Sequence, residues 1–366
     1  MNLSKKLIEK LKKRKDNHTF RTLKLFNKNQ KDFFSNDYLG YAKDKKASFS
    51  EGSTGSRLIS GTHETHISLE NFIAEFHKSE ASLLFNSGYD ANLGFFSCIP
   101  QKEDIILYDE FIHASIRDGM RLSLAKHYRF KHNDLDDLEK KIRKQENKDI
   151  YVVIEAVYSM DGDSLDIKRL KKLVQKYSFY LIIDEAHSLG VYGEKGEGFS
   201  QLHHLEKDCF ARLYTFGKAL GCHGAAWVGS QDLIDYLINF ARSFIYTTAL
   251  PPSSAQEIHN QYLMMKEDHK VREKLKENIF YYQEIIKKRK LEGMFSLNDS
   301  PIQSFFSQDK VFLMKISNKL NQEKYNIKPI YAPTVPEKRE RLRISLHSFN
   351  SFEEIEQLIK LIVDYV

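Results

Sequence analysis

Three residues with reactive side chains lie next to predicted strand ends in the middle of the chain. Asp184 and His187 belong to an Asp-Glu-Ala-His run at the end of a predicted strand over 180–184, and Lys218 closely follows a predicted strand over 212–215. A lysine amine forms an imine with an aldehyde, and an aspartate can keep a pyridine nitrogen protonated so that the ring accepts electrons. These residues therefore predict a site for pyridoxal 5'-phosphate (PLP).

The Asp-Glu-Ala-His run and Lys218 each have a second interpretation. In helicases such a run binds magnesium beside ATP, but that function requires a G-x-x-x-x-G-K-[ST] loop, which this sequence lacks. Lys218 could instead be an ordinary surface lysine. Gly217 and Gly221 let the backbone approach a ligand closely, and Thr215 offers a hydroxyl to a phosphate oxygen. These neighbours favour a functional lysine.

Other candidates lie on or shortly after predicted strands. Gly88 and Tyr89 lie where a strand turns into a helix, and the exposed N–H groups and helix dipole there suit a phosphate. His113 either stacks on the cofactor ring or belongs to a helix cap, and Ser159 either caps a helix or hydrogen-bonds the cofactor. Arg343 lies on a predicted strand, where its planar guanidinium either clamps a carboxylate or lines the surface.

Short apolar segments alternate with helical segments from about residue 66 to 229. Because parallel strands with helical crossovers are buried on both faces, this alternation predicts an α/β fold with a mainly parallel central sheet and helices on both faces. A long charged helix with a break follows over about 254–289, and then short strands and a final helix. We expect an N-terminal helix and extended segment (1–40), a large PLP-binding domain (41–255) and a smaller C-terminal α/β domain (256–366).

The composition is that of an ordinary globular protein. Hydrophobic residues make up 41% of the 366 residues, charged residues make up 29%, and the net charge is +6. A lysine-rich patch over 5–15 reads as the solvated face of a helix, because no aromatic–basic motif supports nucleic-acid binding. Cys98, Cys209 and Cys222 show no paired spacing, so we expect reduced thiols in the cytoplasm and no metal site. We expect neither a signal peptide nor a membrane span.

The motifs together resemble the α-oxoamine synthases, a PLP-dependent family of fold type I. The resemblance runs from about residue 20 to the C-terminus. Its segments are 35–40 (SNDYLG), 60–62 (SGT), 87–89 (SGY), 113–115 (HAS), 158–163 (YSMDGD), 184–187 (DEAH), 215–218 (TFGK), 246–248 (YTT) and 333–336 (PTVP). So many motifs in the same order make the resemblance specific.

The resemblance implies a PLP-dependent acyltransferase that condenses an amino acid with an acyl thioester and releases carbon dioxide. The short N-terminus and the 333–336 segment favour L-alanine with pimeloyl-CoA or pimeloyl-acyl carrier protein, as in biotin biosynthesis. Glycine with acetyl-CoA, or serine with a long acyl chain, stays open, and so does a PLP-fold protein without acyltransferase activity. The family also implies a cytoplasmic homodimer with shared active sites and no nucleic-acid or membrane partner.

The resemblance assigns a role to each matching residue. Lys218 would bond the cofactor and move protons, Asp184 would pair with the pyridinium nitrogen, and His187 would contact the ring hydroxyl. His113 would stack on the ring. The remaining roles fall to Gly88, Tyr89 and Thr215 at the phosphate, Ser159 at the ring, Thr247 or Thr248 at the partner subunit's phosphate, Arg343 at the amino-acid carboxylate, Asn36 and Thr334 at the substrate, and Arg21 at the acyl substrate.

Overall fold

The computed structural model describes most of the chain. The described residues are 16–18, 31–33, 38–39, 53, 55–145 and 148–366. Most of the predicted N-terminal helix and extended segment therefore lies outside the described residues.

Twelve strands are found in the described residues. They are β1 (Lys31–Asp32), β2 (Ala81–Phe85), β3 (Ile105–Asp109), β4 (Lys126–Phe130), β5 (Ile150–Glu155), β6 (Tyr180–Asp184), β7 (Cys209–Thr215), β8 (Ala225–Gly229), β9 (Ile302–Phe306), β10 (Tyr325–Asn326), β11 (Pro329–Ile330) and β12 (Arg341–Ser345).

Twelve helices are likewise found in this part of the chain. They are α1 (Glu64–Phe76), α2 (Gly88–Cys98), α3 (Ala114–Leu122), α4 (Leu135–Ile142), α5 (Ile167–Lys176), α6 (Phe199–Leu202), α7 (Gln231–Phe240), α8 (Arg242–Ile245), α9 (Pro252–Glu267), α10 (His269–Lys288), α11 (Lys310–Gln322) and α12 (Phe352–Asp364). None of these described helices is long and apolar enough to cross a membrane.

The central sheet has seven strands in the order β2-β8-β7-β6-β5-β3-β4. The pairs from β7 through β4 are parallel, and β8 runs antiparallel to both of its neighbours, β2 and β7. The predicted mainly parallel sheet is therefore confirmed. Because its parallel strands end at one edge, the segments that follow β5, β6 and β7 meet there.

Helices cover both faces of this sheet, which explains the nearly continuous apolar strands. All six positions of β5 are buried. Val153 packs in one cluster with Trp227 and with Phe95 of α2, whereas Val152 packs in a second cluster with Leu170 of α5. The alternating side chains of one strand thus serve two separate apolar layers, as expected for an α/β fold.

Helix ends follow local capping chemistry. Asp166 accepts a hydrogen bond from the backbone of Arg169 at the start of α5, which buries Leu170 and Leu173. The predicted long helix is broken at Asp268, which ends α9 and caps α10. The helical region and the presence of a break were predicted from the sequence, but the position of the break was not.

The C-terminal region has its own antiparallel sheet, in the order β11-β12-β9. Helix α12 packs against α10 and α11, and β1 pairs in parallel with β10. Helix α9, which begins at residue 252, packs on α1 of the preceding region. The domain boundary near residue 255 stays a prediction.

Candidate active site

A cavity of about 270 Å³ opens at the edge of the central sheet where β5, β6 and β7 end. It lies where parallel α/β sheets bind their ligands. Its lining includes the predicted site residues Gly88, Tyr89, His113, Asp184, His187, Thr215 and Lys218. The fold therefore brings together residues that are up to 130 positions apart in the chain (88 to 218).

Asp184 ends β6 and is 5% exposed. Its Oδ2 accepts a hydrogen bond of 3.1 Å from Nδ2 of Asn92, and its Oδ1 accepts one of 3.0 Å from the backbone of Ala186. Asn92 lies on α2 and also donates to Ser115. These bonds fix the orientation of a buried carboxylate that still faces the cavity, as pairing with a pyridinium nitrogen requires.

Lys218 lies in the tight loop between β7 and β8. Gly221 donates a backbone hydrogen bond to the carbonyl of Lys218 and has φ of +62°, a conformation that favours glycine. Burial lowers the pKa of the Lys218 amine, against the opposing charges of Asp184 and Glu155. A lowered pKa increases the fraction of the amine that is neutral and can attack an aldehyde.

His187 is buried beside the cavity. Its Nδ1 lies 2.9 Å from the hydroxyl of Tyr38. Burial, followed by the positive charge of Lys218, lowers the pKa of His187 well below its ordinary value. The imidazole is therefore neutral at pH 7 and carries its proton on only one ring nitrogen.

The start of α2 and the end of β7 also line the cavity. Ser87 caps α2 by accepting a hydrogen bond from the backbone of Asp90, so Gly88 lies in the first helical turn. A Cβ on Gly88 would lie 2.6 Å from Cγ2 of Thr215. The buried Oγ1 of Thr215 has no hydrogen-bond partner among the described residues. An unpartnered hydroxyl next to a helix N-terminus is suited to a phosphate.

These features fit PLP. The helix N-terminus and the Thr215 hydroxyl could hold its phosphate, Asp184 its ring nitrogen, and Lys218 its aldehyde carbon. These assignments remain predictions about individual residues, although the arrangement supplies each kind of group that the cofactor requires.

His113 caps α3 and lines the cavity as well. Its Nδ1 accepts a hydrogen bond of 3.2 Å from the backbone of Ser115 and lies 2.7 Å from the Ser115 hydroxyl. The residue is exposed and lines the cavity, and its capping contacts use only the Nδ1 edge of the ring. The two interpretations of His113 are therefore compatible in this structure.

Arg343 and Ser159 lie behind the cavity lining. Nε of Arg343 donates to the backbone carbonyl of Ser159 at 2.7 Å, and Nη2 donates to the Tyr38 hydroxyl at 3.4 Å. Arg341 lies on the same strand face and contacts Asp161 at 2.7 Å. The arginine proposed for the substrate carboxylate is thus connected to His187 through one tyrosine.

The remaining predicted residues lie farther from the cavity or outside the described residues. Asn86, next to the start of α2, donates to Oγ1 of Thr247 at 3.2 Å. Thr334 is exposed in the turn after β11. Arg21 and Asn36 lie outside the described residues.

Several residues of the site were not predicted from the sequence. Asn92 was not singled out, although it lies one helical turn after Gly88. Glu155 pairs in register with Asp184 and lines the cavity. Burial, followed by the charge of Asp184, raises the pKa of Glu155 to about 8. The clue was a carboxylate at the end of an otherwise apolar strand, four positions before Ser159.

The sequence profile described as "Aminotransferase class I and II" matches residues 25–362. The chain belongs to this family. It is 36% identical over 399 residues to 8-amino-7-oxononanoate synthase from Emericella nidulans, covering 98% of this chain and 95% of the relative.

Two solved structures resemble the chain closely. An 8-amino-7-oxononanoate synthase from Francisella tularensis superposes with a TM-score of 0.80 at 31% identity, covering 93% of this chain and 100% of the other. A PLP-bound serine palmitoyltransferase from S. paucimobilis superposes with a TM-score of 0.88 at 24% identity, covering 99% and 96%. The latter likeness is one of fold alone.

The family, the curated relative and the fold agree on the class of protein. The chain is a PLP-dependent enzyme of fold type I and of the acyltransferase type, similar to the 8-amino-7-oxononanoate synthases. The predictions of cofactor, fold class and enzyme class are confirmed.

Proposed function

We propose that this enzyme condenses L-alanine with pimeloyl-CoA or pimeloyl-acyl carrier protein to give 8-amino-7-oxononanoate, a step of biotin biosynthesis. The observation that carries the proposal is the cavity that joins Lys218, Asp184 and His187 in a chain 36% identical to an 8-amino-7-oxononanoate synthase. A carbon–carbon bond forms between the alanine α-carbon and the thioester carbonyl carbon while the carbon–sulfur bond breaks and the thiol leaves. The alanine carboxylate leaves as carbon dioxide, and a proton takes its place.

Each residue of the site has a part in this reaction. Bound PLP supplies an electron-accepting ring that stabilises negative charge at the amino-acid α-carbon. Nζ of Lys218 accepts the α-proton and later returns a proton, for which its lowered pKa is suited. The Asp184 carboxylate holds a proton at the pyridine nitrogen, and His187 donates to the ring hydroxyl. His113 packs on the ring face at the cavity mouth.

The cofactor phosphate and the amino-acid carboxylate are both anionic, and each has a complementary group in the site. The first turn of α2 and the Thr215 hydroxyl bind the cofactor phosphate. Arg343 binds the amino-acid carboxylate, because a guanidinium matches a carboxylate with two parallel hydrogen bonds. In the structure its Nη1 and Nη2 contact Ser345 and Tyr38, and a nitrogen with two N–H groups can keep such a contact while it donates to a carboxylate.

We also propose a homodimer with shared active sites, in the cytoplasm. The segment 246–248 lies beside the start of α2 through the bond from Asn86 to Thr247, and Tyr246 is 71% exposed. A large exposed aromatic next to a cofactor site suits contact with a second subunit. The three cysteines are free, as in a reducing compartment.

The substrate assignment is tested with the PLP-loaded enzyme. L-Alanine, glycine and L-serine are each titrated while the cofactor absorbance is followed, and pimeloyl-CoA, acetyl-CoA or palmitoyl-CoA is then added. We expect alanine with the pimeloyl thioester to release carbon dioxide and form 8-amino-7-oxononanoate, detected by mass spectrometry. Preference for glycine with acetyl-CoA or serine with palmitoyl-CoA would overturn the substrate assignment but not the enzyme class.

A variant of the central lysine separates specific from nonspecific cofactor binding. Lys218→Ala should abolish both the absorbance of lysine-bound cofactor and carbon dioxide release. Lys288→Ala, at the end of α10, serves as the matched control. A retained absorbance band in Lys218→Ala would assign the cofactor to another lysine.

A further inference from the structure

Tyr38 is a buried tyrosine with no role in the reaction described so far. It is 0% exposed, and its hydroxyl lies 2.9 Å from Nδ1 of His187 and 3.4 Å from Nη2 of Arg343. These two partners lie 149 and 305 positions away in the chain. One phenol oxygen therefore connects the residue assigned to the cofactor ring hydroxyl with the residue assigned to the substrate carboxylate.

The donor and acceptor roles at this oxygen are limited by chemistry. A guanidinium can only donate, so the Tyr38 oxygen accepts a hydrogen bond from Arg343. Burial raises the pKa of Tyr38, against the charge of Arg343, so the phenol keeps its single proton at neutral pH. His187 is neutral, and its Nδ1 can accept that proton. Donation from Tyr38 to Nδ1 places the imidazole proton of His187 on Nε2.

The opposite tautomer is less suited to the site. With its proton on Nδ1, His187 would place a second donor on the phenol oxygen that already accepts from Arg343. Its Nε2 would then be an acceptor facing the cavity, opposite a ring hydroxyl that is itself an acceptor when ionised. Two facing acceptors repel each other, whereas an Nε2–H group would donate to the ring oxygen.

The backbone around Tyr38 holds the hydroxyl in place. The carbonyl of Tyr38 accepts a hydrogen bond of 3.0 Å from the backbone of Ser348, just after β12. The carbonyl of Phe33 accepts one of 3.3 Å from Ser345 at the end of the same strand. Tyr38 is thus anchored to the strand that carries Arg343 while its side chain reaches a residue after β6.

We propose that Tyr38 is a positioning residue that holds His187 as an Nε2–H donor toward the cofactor ring hydroxyl and orients Arg343 for the amino-acid carboxylate. The inference rests on the proposed function for the roles of His187 and Arg343. Tyr38 itself touches neither reacting group. It acts by fixing which ring nitrogen of His187 carries the proton and by fixing the orientation of the Arg343 guanidinium.

The test is Tyr38→Phe in the PLP-loaded enzyme, without acyl substrate. The absorbance of lysine-bound cofactor is titrated with pH. Loss of the His187 donor to the ring oxygen should raise the pKa of this spectral transition by about one unit. The control is Tyr282→Phe, since Tyr282 is equally buried and its hydroxyl has no partner among the described residues. An unchanged spectral pKa in Tyr38→Phe would overturn the proposal.

Two further readouts separate positioning from simple loss of stability. In the cofactor-free protein, the ring ¹⁵N shifts of His187 should report an Nε2–H tautomer, which Tyr38→Phe should convert to a mixture. An Nδ1–H tautomer in the unmodified protein would also overturn the proposal. In a His187→Phe background, Tyr38→Phe should no longer move the spectral pKa, and a full further shift would show that Tyr38 acts without His187.

Substrate binding tests the Arg343 part of the proposal. Tyr38→Phe should raise the dissociation constant for the preferred amino acid, measured from the cofactor absorbance, about tenfold. This is the factor expected for the loss of one hydrogen bond to a charged group. Unchanged affinity would overturn this part. These titrations need no thioester, so a failure to form 8-amino-7-oxononanoate would count against the proposed function and leave the Tyr38 inference standing.

Discussion

Asp184 and Glu185 are neighbours in the chain, yet their carboxylates lie in opposite environments. Glu185 is 0% exposed and accepts hydrogen bonds from the backbones of Phe199 and Ser200, at 2.9 and 2.7 Å, and from the hydroxyls of Ser188 and Ser200. Asp184 accepts two hydrogen bonds and lines the cavity. The Glu185 carboxylate is fully hydrogen-bonded within the fold, whereas the Asp184 carboxylate can accept a further hydrogen bond from a ligand in the cavity.

The comparison shows how to separate a structural charge from a functional one. Asp184 is the last residue of β6 and Glu185 follows it directly, so two adjacent carboxylates can enter different surroundings. Around Glu185 the chain supplies a donor for each carboxylate oxygen and so holds the start of α6 against β6. In the cavity that Asp184 lines, by contrast, the buried Oγ1 of Thr215 has no hydrogen-bond partner among the described residues. A buried polar atom that lines a cavity and has no hydrogen-bond partner indicates where a ligand binds.

The largest expected effect is that of Asp184→Asn. Loss of the charge at the pyridine nitrogen should reduce turnover about 1000-fold, as for loss of a strong electrostatic contact to the reacting system. Some PLP should still bind, and the free energy of unfolding of the cofactor-free protein should change little. The measurements are steady-state turnover and PLP titration by absorbance. Turnover within tenfold of the unmodified enzyme would show that another group keeps the ring charged.

Glu185→Gln should have the opposite pattern. An amide in place of the carboxylate turns an NH₂ group toward donors, so the free energy of unfolding should fall by about 3 kcal/mol. Turnover per folded molecule should stay near that of the unmodified enzyme. Urea unfolding of the cofactor-free protein measures the loss, with the exposed Glu292→Gln as the control. A loss of turnover as large as that of Asp184→Asn would break the distinction between the two carboxylates.

The elements that could be predicted are those with a clear local sequence pattern, such as a run of apolar residues. The apolar strands β5 and β6 follow from runs that a single sequence displays, whereas the break in the long helical region was predicted without a position and lies at Asp268. Strand β4 was missed because four of its five residues are exposed, as expected at the sheet edge. Its sequence, Lys-His-Tyr-Arg-Phe, lacks the apolar run that indicated the other strands.

The candidate site shows the same limit. Lys218 and Asp184 were predicted because each belongs to a short motif at a strand end. The connection of Tyr38 to His187 and Arg343 could not be predicted, because it depends on the packing of three distant segments. The same is true of Glu155, whose raised pKa arises from burial and from a neighbouring strand.

A histidine that lies between two carboxylates extends the comparison to pH. His132 contacts Asp109 through Nδ1 and Asp163 through Nε2, both at 2.9 Å. Burial alone would lower the pKa of His132, but its hydrogen bonds to the two carboxylates and their charges raise it to about 10. Because the folded pKa exceeds the unfolded value of 6.5, this stabilisation is complete below pH 6.5 and is lost as the pH rises through 10.

His132→Gln should remove this pH dependence. Between pH 6.5 and 9 the unmodified protein should lose about 3 kcal/mol of unfolding free energy that the variant does not lose. His127→Gln, at an exposed position of β4, is the control and should follow the unmodified protein. Parallel stability curves for His132→Gln and the unmodified protein would show that His132 is not charged in the fold. Urea unfolding at several pH values provides these curves.

Glu155→Gln should have the smallest effect at neutral pH. With a pKa of about 8, Glu155 is mostly protonated at pH 7, so an amide of the same shape should change turnover by no more than about threefold. A raised carboxyl pKa means that folding takes up a proton, so the unmodified cofactor-free protein should lose stability as the pH rises from 4.5 to about 8. Glu155→Gln should be free of that loss, which urea unfolding across this range measures. A large loss of turnover at pH 7 would instead show that Glu155 works as a charged carboxylate, and the cavity would then hold two ionised acids opposite Lys218.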